Sequence, residues 1–326
     1  MTHACHFSQR KRAGRVRECH GDLHLGNLIL LEDQITAFDC IEFNADFRWI
    51  DVMSEVAFLV MDLAHRGHPE LGFRFLNAYL ETSGDFSGLE VLDFYLVFRA
   101  LVRAKVSLFR ATQDDTPPAL KQQAWAEFEH YLALAETFAQ RRGPRLILMH
   151  GFSGSGKSTL AGALAAALPA IHIRSDVERK RLFGLAPLAR SDAEVGGGIY
   201  TADATQQTYA RLADLARAVI GAGWPVILDA TFLLGAQRAL FIELAASLAA
   251  PWQIVDCVTD DAVLRQRVVA RKVAGQDAAE ADLAVLEKQQ SHHDALSAAE
   301  SAHVLRVATD HVWDAAELAA QVRQFN

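Results

Sequence analysis

The sequence predicts an α/β protein in two parts. The C-terminal part is a three-layer α/β/α unit on a parallel sheet, and the part before it is mainly helical with one β-hairpin. Three observations carry this. Residues 151–159 read Gly-Phe-Ser-Gly-Ser-Gly-Lys-Ser-Thr and fit the phosphate-loop (P-loop) pattern G-x-x-x-x-G-K-[ST]. After them, short apolar runs alternate with longer helical stretches, as in βα repeats. Before them, a loop of the form H-x-D-x-x-x-x-N enters an apolar hairpin, and four long helical stretches follow.

Composition bounds the answer. The chain has 326 residues, enough for two domains; 51% are hydrophobic and 22% charged, values of a soluble globular protein. No apolar run approaches the roughly 18 residues of a membrane span, and the first residues lack a signal-peptide core. No membrane association is therefore expected. Cys5, Cys19, Cys40 and Cys257 form no C-x-x-C pair, which favours reduced thiols and a cytoplasmic location. The net charge is −8, with 15 basic against 20 acidic residues in 1–142 and 17 against 20 in 143–326. Neither half carries a basic nucleic-acid footprint, so long nucleic acid is not an expected partner.

Residues 1–17 are polar and hard to assign. Arg10, Lys11, Arg12, Arg15 and Arg17 form a basic stretch without an acid. It reads as a solvated lead-in to the next strand, with a basic arm as the alternative. His3, Cys5, His6, His20 and His24 match no zinc spacing. The loop His20-Gly-Asp22-Leu-His-Leu-Gly-Asn27 comes next. Residues 28–31 read as a strand, Glu32-Asp33 as a turn, and 34–38 as the return strand ending at Asp39. Protein kinases use the same grammar: a loop Asp as base, a loop Asn on metal, and a second metal Asp beyond the hairpin.

Residues 16–110 resemble the aminoglycoside phosphotransferase and choline kinase family. The residues that carry this are HGDLHLGN, ITAFDCIEFN and Arg48-Trp-Ile-Asp51. The resemblance implies a kinase C-lobe-like domain in which Asp22 is the base within the His20 loop and Asn27 and Asp39 hold Mg²⁺. That family places a β-rich lobe with a glycine-rich cover and a lysine before this loop, whereas only 19 residues precede His20 here. The expectation is a truncated domain over 1–142 with a vestigial site and no phosphotransfer of its own. Leu23, Leu25, Phe43 and Phe47 are expected to lose their cover, so residues 16–50 are expected to self-associate, to bind a separate partner or to fold back on themselves. Helices follow at 50–64, at 69–81 with Pro69 at its start, at 89–111, and at 116–140 with Trp125, Phe128, Leu132 and Phe138 as its apolar stripe. Arg141-Arg-Gly-Pro144 marks the boundary.

In the second domain, 143–326, the apolar run 146–149 is a buried strand and 160–168 a helix. Glycines let the loop amides face phosphate oxygens, and the helix start adds partial positive charge. The nucleotide cradle is Gly151, Ser153, Gly154, Ser155, Gly156, Lys157, Ser158 and Thr159, with Lys157 on the β- and γ-phosphates of ATP and Ser158 on Mg²⁺. Strand 171–174 leads into Ser175-Asp176-Val-Glu-Arg179. A carboxylate at a strand's C-terminal end faces the ligand in open sheets, so Asp176 is a candidate base and Arg179 its neighbour one turn on; a helix N-cap with a surface arginine is the alternative. Residues 183–200, with Gly196-Gly-Gly198, read as a substrate loop or as a plain connector. A helix covers 201–221. Strand 225–231 carries Asp229, a Walker B type carboxylate for Mg²⁺. Helix 235–250 and strand 253–258 follow. Residues 261–274 carry Arg265, Arg267, Arg271 and Lys272; Arg267 and Arg271 share a helix face and suit a lid over the triphosphate, with a solvated basic helix as the alternative. Helix 276–290, strand 304–307 and helix 314–325 close the chain.

Residues 145–326 resemble the small P-loop kinases of the gluconate kinase, polynucleotide kinase and zeta-toxin group, through GFSGSGKST, SDVERKRL, VILDATF and the region RQRVVARK to DAAEADLAVLEKQ. The resemblance implies a bacterial fusion of an aminoglycoside phosphotransferase-like domain and an ATP-dependent kinase domain using Mg²⁺. Its acceptor would be a hydroxyl on a small molecule or a nucleotide. The alternative is a nucleotide-binding regulatory or scaffold protein without turnover.

Overall fold

A computed structural model describes residues 3–140, 143–191, 197–274 and 277–325. The boundary residues Arg141 and Arg142, Gly196 of the loop, and Gln276 at the expected helix start lie outside the described residues. The chain divides into two compact units, 1–76 with 85–141, and 77–84 with 142–326.

The first unit contains α1 (His3–Arg12), β1 (Val16–Glu18), β2 (Leu28–Leu31), β3 (Gln34–Ala37), β4 (Trp49–Asp51), α2 (Val52–His65), the first part of α3 (Pro69–Ser83), α4 (Leu89–Thr112) and α5 (Pro118–Ala139). Its centre is α2, apolar nearly all round and buried from Met53 to Leu63. β1 pairs antiparallel with β4, and β2 with β3. The two-residue turn between β2 and β3 sets Glu32 and Asp33 in the left-handed region, at φ 48° and 60°.

Two expectations for this unit are corrected. Lys11, Arg12 and Arg17 are exposed and lead into β1 as expected, but Arg10 within the same stretch is not solvated. α1 delivers Arg10, 2% exposed, to a pair of buried carboxylates: Nε and Nη2 donate to Asp51 at 2.7 Å, and Nη1 and Nη2 to Asp85 at 2.9 Å. The buried face of α5 is Ala124, Tyr131, Ala135 and Phe138, while Trp125 lies 45% exposed against Phe128. Of the expected stripe, Phe138 is buried and Phe128 and Leu132 are half-buried, so Trp125 is the member that departs from it. Of the residues expected to be uncovered, Phe43 and Phe47 are exposed while Leu23 and Leu25 are half-buried. Ile29, Leu30, Leu31, Ile35 and Phe38 add to the exposed apolar face of the hairpin.

The second unit holds β5 (Leu146–His150), α6 (Lys157–Ala167), β6 (Ile171–Arg174), α7 (Ser175–Leu182), α8 (Ala202–Gly221), β7 (Val226–Asp229), α9 (Gly235–Ser247), β8 (Trp252–Val258), α10 (Asp261–Ala274), α11 (Leu283–Ser291), α12 (Ala298–Ser301), β9 (Val304–Ala308) and α13 (Ala315–Gln324). The strands form one parallel sheet in the order β6-β7-β5-β8-β9. Crossover helices cover it, which is why β5 and β7 are continuous apolar runs. Ile147, Met149, Val255 and Val307 pack one face against Leu160, Leu164 and Val322 of α6 and α13. The order places β5 between β7 and β8, so the loop after β5 opens at the middle of the sheet's C-terminal edge.

The helix expected from 276 starts at Leu283 instead. Asp282 caps it, its Oδ1 accepting from Val285 N at 3.2 Å. Residues 277–282 are irregular, and two of their acids pair with other elements: Asp277 with Arg174 at 2.5 Å and Glu280 with Lys180 at 2.9 Å.

Candidate active site

The phosphate loop is shaped by contacts that no side chain could survive. At Gly151, φ 137°, a Cβ would stand 2.7 Å from Cys257 O; at Gly154, φ 85°, it would stand 2.7 Å from Leu264 O. α6 starts at Lys157, whose amide belongs to the free N–H groups of the helix start. Lys157 is buried, and its Nζ donates to Phe152 O at 2.7 Å and lies 3.4 Å from Ser155 Oγ. Burial pushes its pKa down, opposed by the charge of Asp229.

Around this loop lies a cleft of about 710 Å³. Ser153, Gly154, Gly156, Lys157, Ser158 and Thr159 line it, as do Asp176, Arg179, Asp229, Arg267 and Arg271. The sequence candidates of the second domain thus converge on one opening, apart from Gly151 and Ser155 at the base of the loop.

Asp229 ends β7 in register with Met149 of β5. Burial alone would raise its pKa, but the hydrogen bond from His172 Nε2 at 3.2 Å, Arg174 and the Ser158 hydroxyl hold it low. One ionised carboxylate beside one hydroxyl at the start of the loop helix fits Mg²⁺, which takes one or two protein oxygens and completes its shell with phosphate and water. Asp176 sits half-buried in the first turn of α7. Burial pushes its carboxyl above the usual range, while Arg174, Arg179 and Arg271 pull it back. A carboxylate poised in this way can take a proton from a hydroxyl. Arg179 is 8% exposed; its Nη1 donates to Ile199 O at 2.9 Å, and its guanidinium lies 5.2 Å from the Tyr200 ring centroid.

The two arginines of α10 that line the cleft differ. Arg267 is tied beneath the loop, Nη2 donating to Thr309 O at 2.8 Å and Nη1 lying 3.5 Å from Gly154 O. Arg271 donates to Ala281 O at 2.9 Å and remains on the cleft wall. Several contributors carry no sequence mark. Thr309 Oγ1 donates to Ser155 O at 2.6 Å, Gln289 Oε1 accepts from Ser153 N at 2.9 Å, and His172 braces Asp229. Thr309 follows β9 and Gln289 lies on α11, both far along the chain, while His172 lies within β6, so no single local spacing could have flagged them.

In the first unit, Asn27 links the loop residues. Its Nδ2 donates to Asp22 O at 3.0 Å, lies 3.2 Å from Asp22 Oδ2, and reaches Asp39 O at 3.4 Å. His20 Nε2 lies 2.8 Å from Phe38 O. A hydrogen bond with His24 holds the Asp22 carboxyl below its usual range despite partial burial. Asp39 is exposed, with φ 58°. Below the loop, Arg99 Nη1 donates to Gly21 O at 3.1 Å, and Gly21 N donates to Glu55 at 3.0 Å. Among the described residues no group of three or more His, Cys, Asp or Glu is arranged to hold a metal.

A parallel sheet with a glycine-bent loop between its middle strand and the next helix, and an acidic residue ending the neighbouring strand, makes the second unit a P-loop nucleoside-triphosphatase fold. Residues 146–296 match the AAA domain family. The Mycobacterium tuberculosis protein Rv2004c, described as uncharacterised, is 32% identical over 288 residues, 88% of this chain and 57% of its own length. Mycobacterium bovis Mb2027c gives the same figures. The chain thus spans 57% of the length of these curated relatives. Among solved structures, the Mycobacterium tuberculosis APS kinase CysC in complex with AMPPNP and APS is 18% identical with a TM-score of 0.40, covering 56% of this chain and 98% of that one. A gluconokinase from Sinorhizobium meliloti is 20% identical with a TM-score of 0.36, covering 56% of this chain and 91% of that one. These distant likenesses carry no functional argument.

Proposed function

We propose that the second unit is a phosphotransferase that moves the γ-phosphate of ATP to a hydroxyl acceptor. The supporting observation is that Asp176 and Asp229 stand at the C-terminal ends of neighbouring strands, in one cleft with the phosphate-loop lysine. Lys157 exchanges its bond to Phe152 O for the β- and γ-phosphates. Ser158 and Asp229 would hold Mg²⁺, which when bound would neutralise charge on the phosphates. Asp176 takes the proton of the acceptor hydroxyl as that oxygen attacks phosphorus and the bond to the ADP oxygen breaks. Arg179 and Arg271 face the charge that develops on the transferred group, and Arg267 holds the loop in shape. The first unit keeps the Asp22, Asn27 and Asp39 constellation as a vestigial site, with ATP held by the second unit alone.

Lys157→Ala is expected to weaken binding of a fluorescent ATP analogue by about 10- to 100-fold, the worth of one charge-assisted contact. Asp22→Ala should leave that affinity unchanged. Equilibrium titration of the two variants checks this, and loss of binding in Asp22→Ala alone would move the nucleotide to the first unit.

A further inference from the structure

Residues 77–84, which include the end of α3, belong to the second unit, although a boundary at 141–144 would leave them outside it. They lie along β6, the edge strand of the sheet. An edge strand turns alternate amide and carbonyl groups away from its neighbour. Ile171 N donates inward, to Pro225 O at 2.9 Å. The groups on either side of it face outward, and one side chain meets both. Asn77 Nδ2 donates to Ala170 O at 3.0 Å, and Asn77 Oδ1 accepts from His172 N at 2.7 Å. The side-chain amide thus pairs with the edge as the backbone of a further strand would. One turn on, Glu81 Oε1 accepts from Arg174 Nη1 at 3.5 Å, and Arg181 Nη2 donates to Glu81 O.

His172 is the residue that this pairing holds. Its Nε2 lies 3.2 Å from Asp229 Oδ2, at the end of the next strand. A hydrogen bond of that length is lost by a drift of roughly 0.4 Å. The amide of His172 is bonded to Asn77, so Asn77 fixes the peptide that carries the brace on Asp229. We propose that Asn77 is a positioning residue of the cleft, a side chain from before the domain boundary that completes the edge of the sheet and, through His172, sets Asp229 for Mg²⁺. The inference rests on the reading of Asp229 as a Mg²⁺ carboxylate. Asn77 is not among the residues that line the cleft, so it acts through β6. An amide suits the place because it offers a donor and an acceptor on separate atoms, whereas a carboxylate offers acceptors alone.

The test uses Asn77→Ala, Asn77→Asp and Asp229→Asn in the full chain. Peptides covering 170–174 are followed by hydrogen exchange and mass spectrometry. A fluorescent ATP analogue is titrated over a series of Mg²⁺ concentrations and in EDTA. With Glu81 still on Arg174, Asn77→Ala should loosen β6 without releasing it, and 170–174 should exchange about 10-fold faster. The Mg²⁺ concentration that half-saturates the effect on nucleotide affinity should rise by about 3- to 10-fold, less than the 10- to 100-fold typical of a group touching the metal ligand itself. Affinity in EDTA should stay at the parent value. Asn77→Asp keeps the oxygen that accepts from His172 N, so its Mg²⁺ response should remain that of the parent. Unchanged exchange at 170–174 in Asn77→Ala would overturn the proposal. Faster exchange with the parent Mg²⁺ response, where Asp229→Asn does shift that response, would leave Asn77 a stabiliser of β6 and remove its positioning role. If Asp229→Asn leaves the response as it is, the reading of Asp229 falls first, and the inference with it. Should Asn77→Ala not fold, a Mg²⁺ response lost in Asn77→Asp would refute the route through His172, because the bond to its amide is still present.

Discussion

Asp176→Asn is expected to slow phosphate transfer by about 10²- to 10⁴-fold while nucleotide binding stays at the parent level. The amide keeps the size of the side chain and a hydrogen-bonding oxygen, and it removes the only group on α7 placed to accept the acceptor's proton. The ATP contacts come from the loop after β5, on a different element, so affinity for an ATP analogue should not follow the rate. The environment of Asp176 also sets a pH dependence. Burial raises its pKa in the folded protein, so its base form is populated only above an elevated pKa. The transfer rate should therefore rise with pH through that range rather than being flat from the ordinary carboxylate value upward. The same shift costs stability: a carboxyl raised on folding favours the folded state below its folded pKa, and that contribution is lost as pH rises. Arg174, Arg179 and Arg271 limit the loss. Single-turnover release of labelled phosphate, set beside equilibrium binding, checks both statements. A variant that releases phosphate at the parent rate would leave Asp176 as nothing more than part of a helix start.

What the sequence disclosed, and what it hid, follows from the range of the interactions concerned. The loop after β5 was legible because backbone curvature writes itself into glycine spacing: Gly151 and Gly154 each stand too close to a carbonyl for any side chain. The strands β5 and β7 were legible because a buried parallel strand must be apolar throughout. The position of Asp229 followed from the end of such a run. Thr309 is different. It meets Ser155 O across 154 residues of sequence, and nothing near it in the chain announces the contact. Gln289 reaches Ser153 over a comparable separation. The start of α11 differs from the expectation because an Ala-rich stretch with helical propensity carries Asp277 and Glu280, whose partners lie on β6 and α7 rather than within a helix. In α5 the stripe of Trp125, Phe128, Leu132 and Phe138 was set about one residue off the buried face, which runs through Ala124, Tyr131, Ala135 and Phe138.

Arg10 is the clearest case of a tertiary contact overriding a local pattern, and its replacement should have the largest effect on stability. Within a run of five basic residues, Arg10 looks like its neighbours. In the fold it is clamped between Asp51 and Asp85, both buried, through four hydrogen bonds of 2.7 to 2.9 Å. Burial opposes the charge of Arg10, and the two carboxylates more than restore it, so its pKa is raised. Asp51 is also the N-cap of α2, its Oδ1 accepting from Met53 N at 2.9 Å. One arginine thus neutralises the carboxylate that starts the central helix of the first unit. Arg10→Ala leaves Asp51 and Asp85 in place without their main counter-charge. Arg15 at 3.4 Å answers only Asp85. Breaking a buried pair from one side typically costs about 3–5 kcal/mol. The amides of α2 should then exchange with solvent faster by about 10²- to 10⁴-fold. Peptides from 52–65, followed by hydrogen exchange and mass spectrometry, report this without interference from the second unit. Replacing the cluster as a unit, with Arg10→Met, Asp51→Asn and Asp85→Asn together, should recover much of the loss, because no unpaired charge then remains buried. Exchange in Arg10→Ala within a factor of about two of the parent, the range of ordinary surface changes, would mean that the two carboxylates find other compensation and that Arg10 is not what holds α1 to this unit.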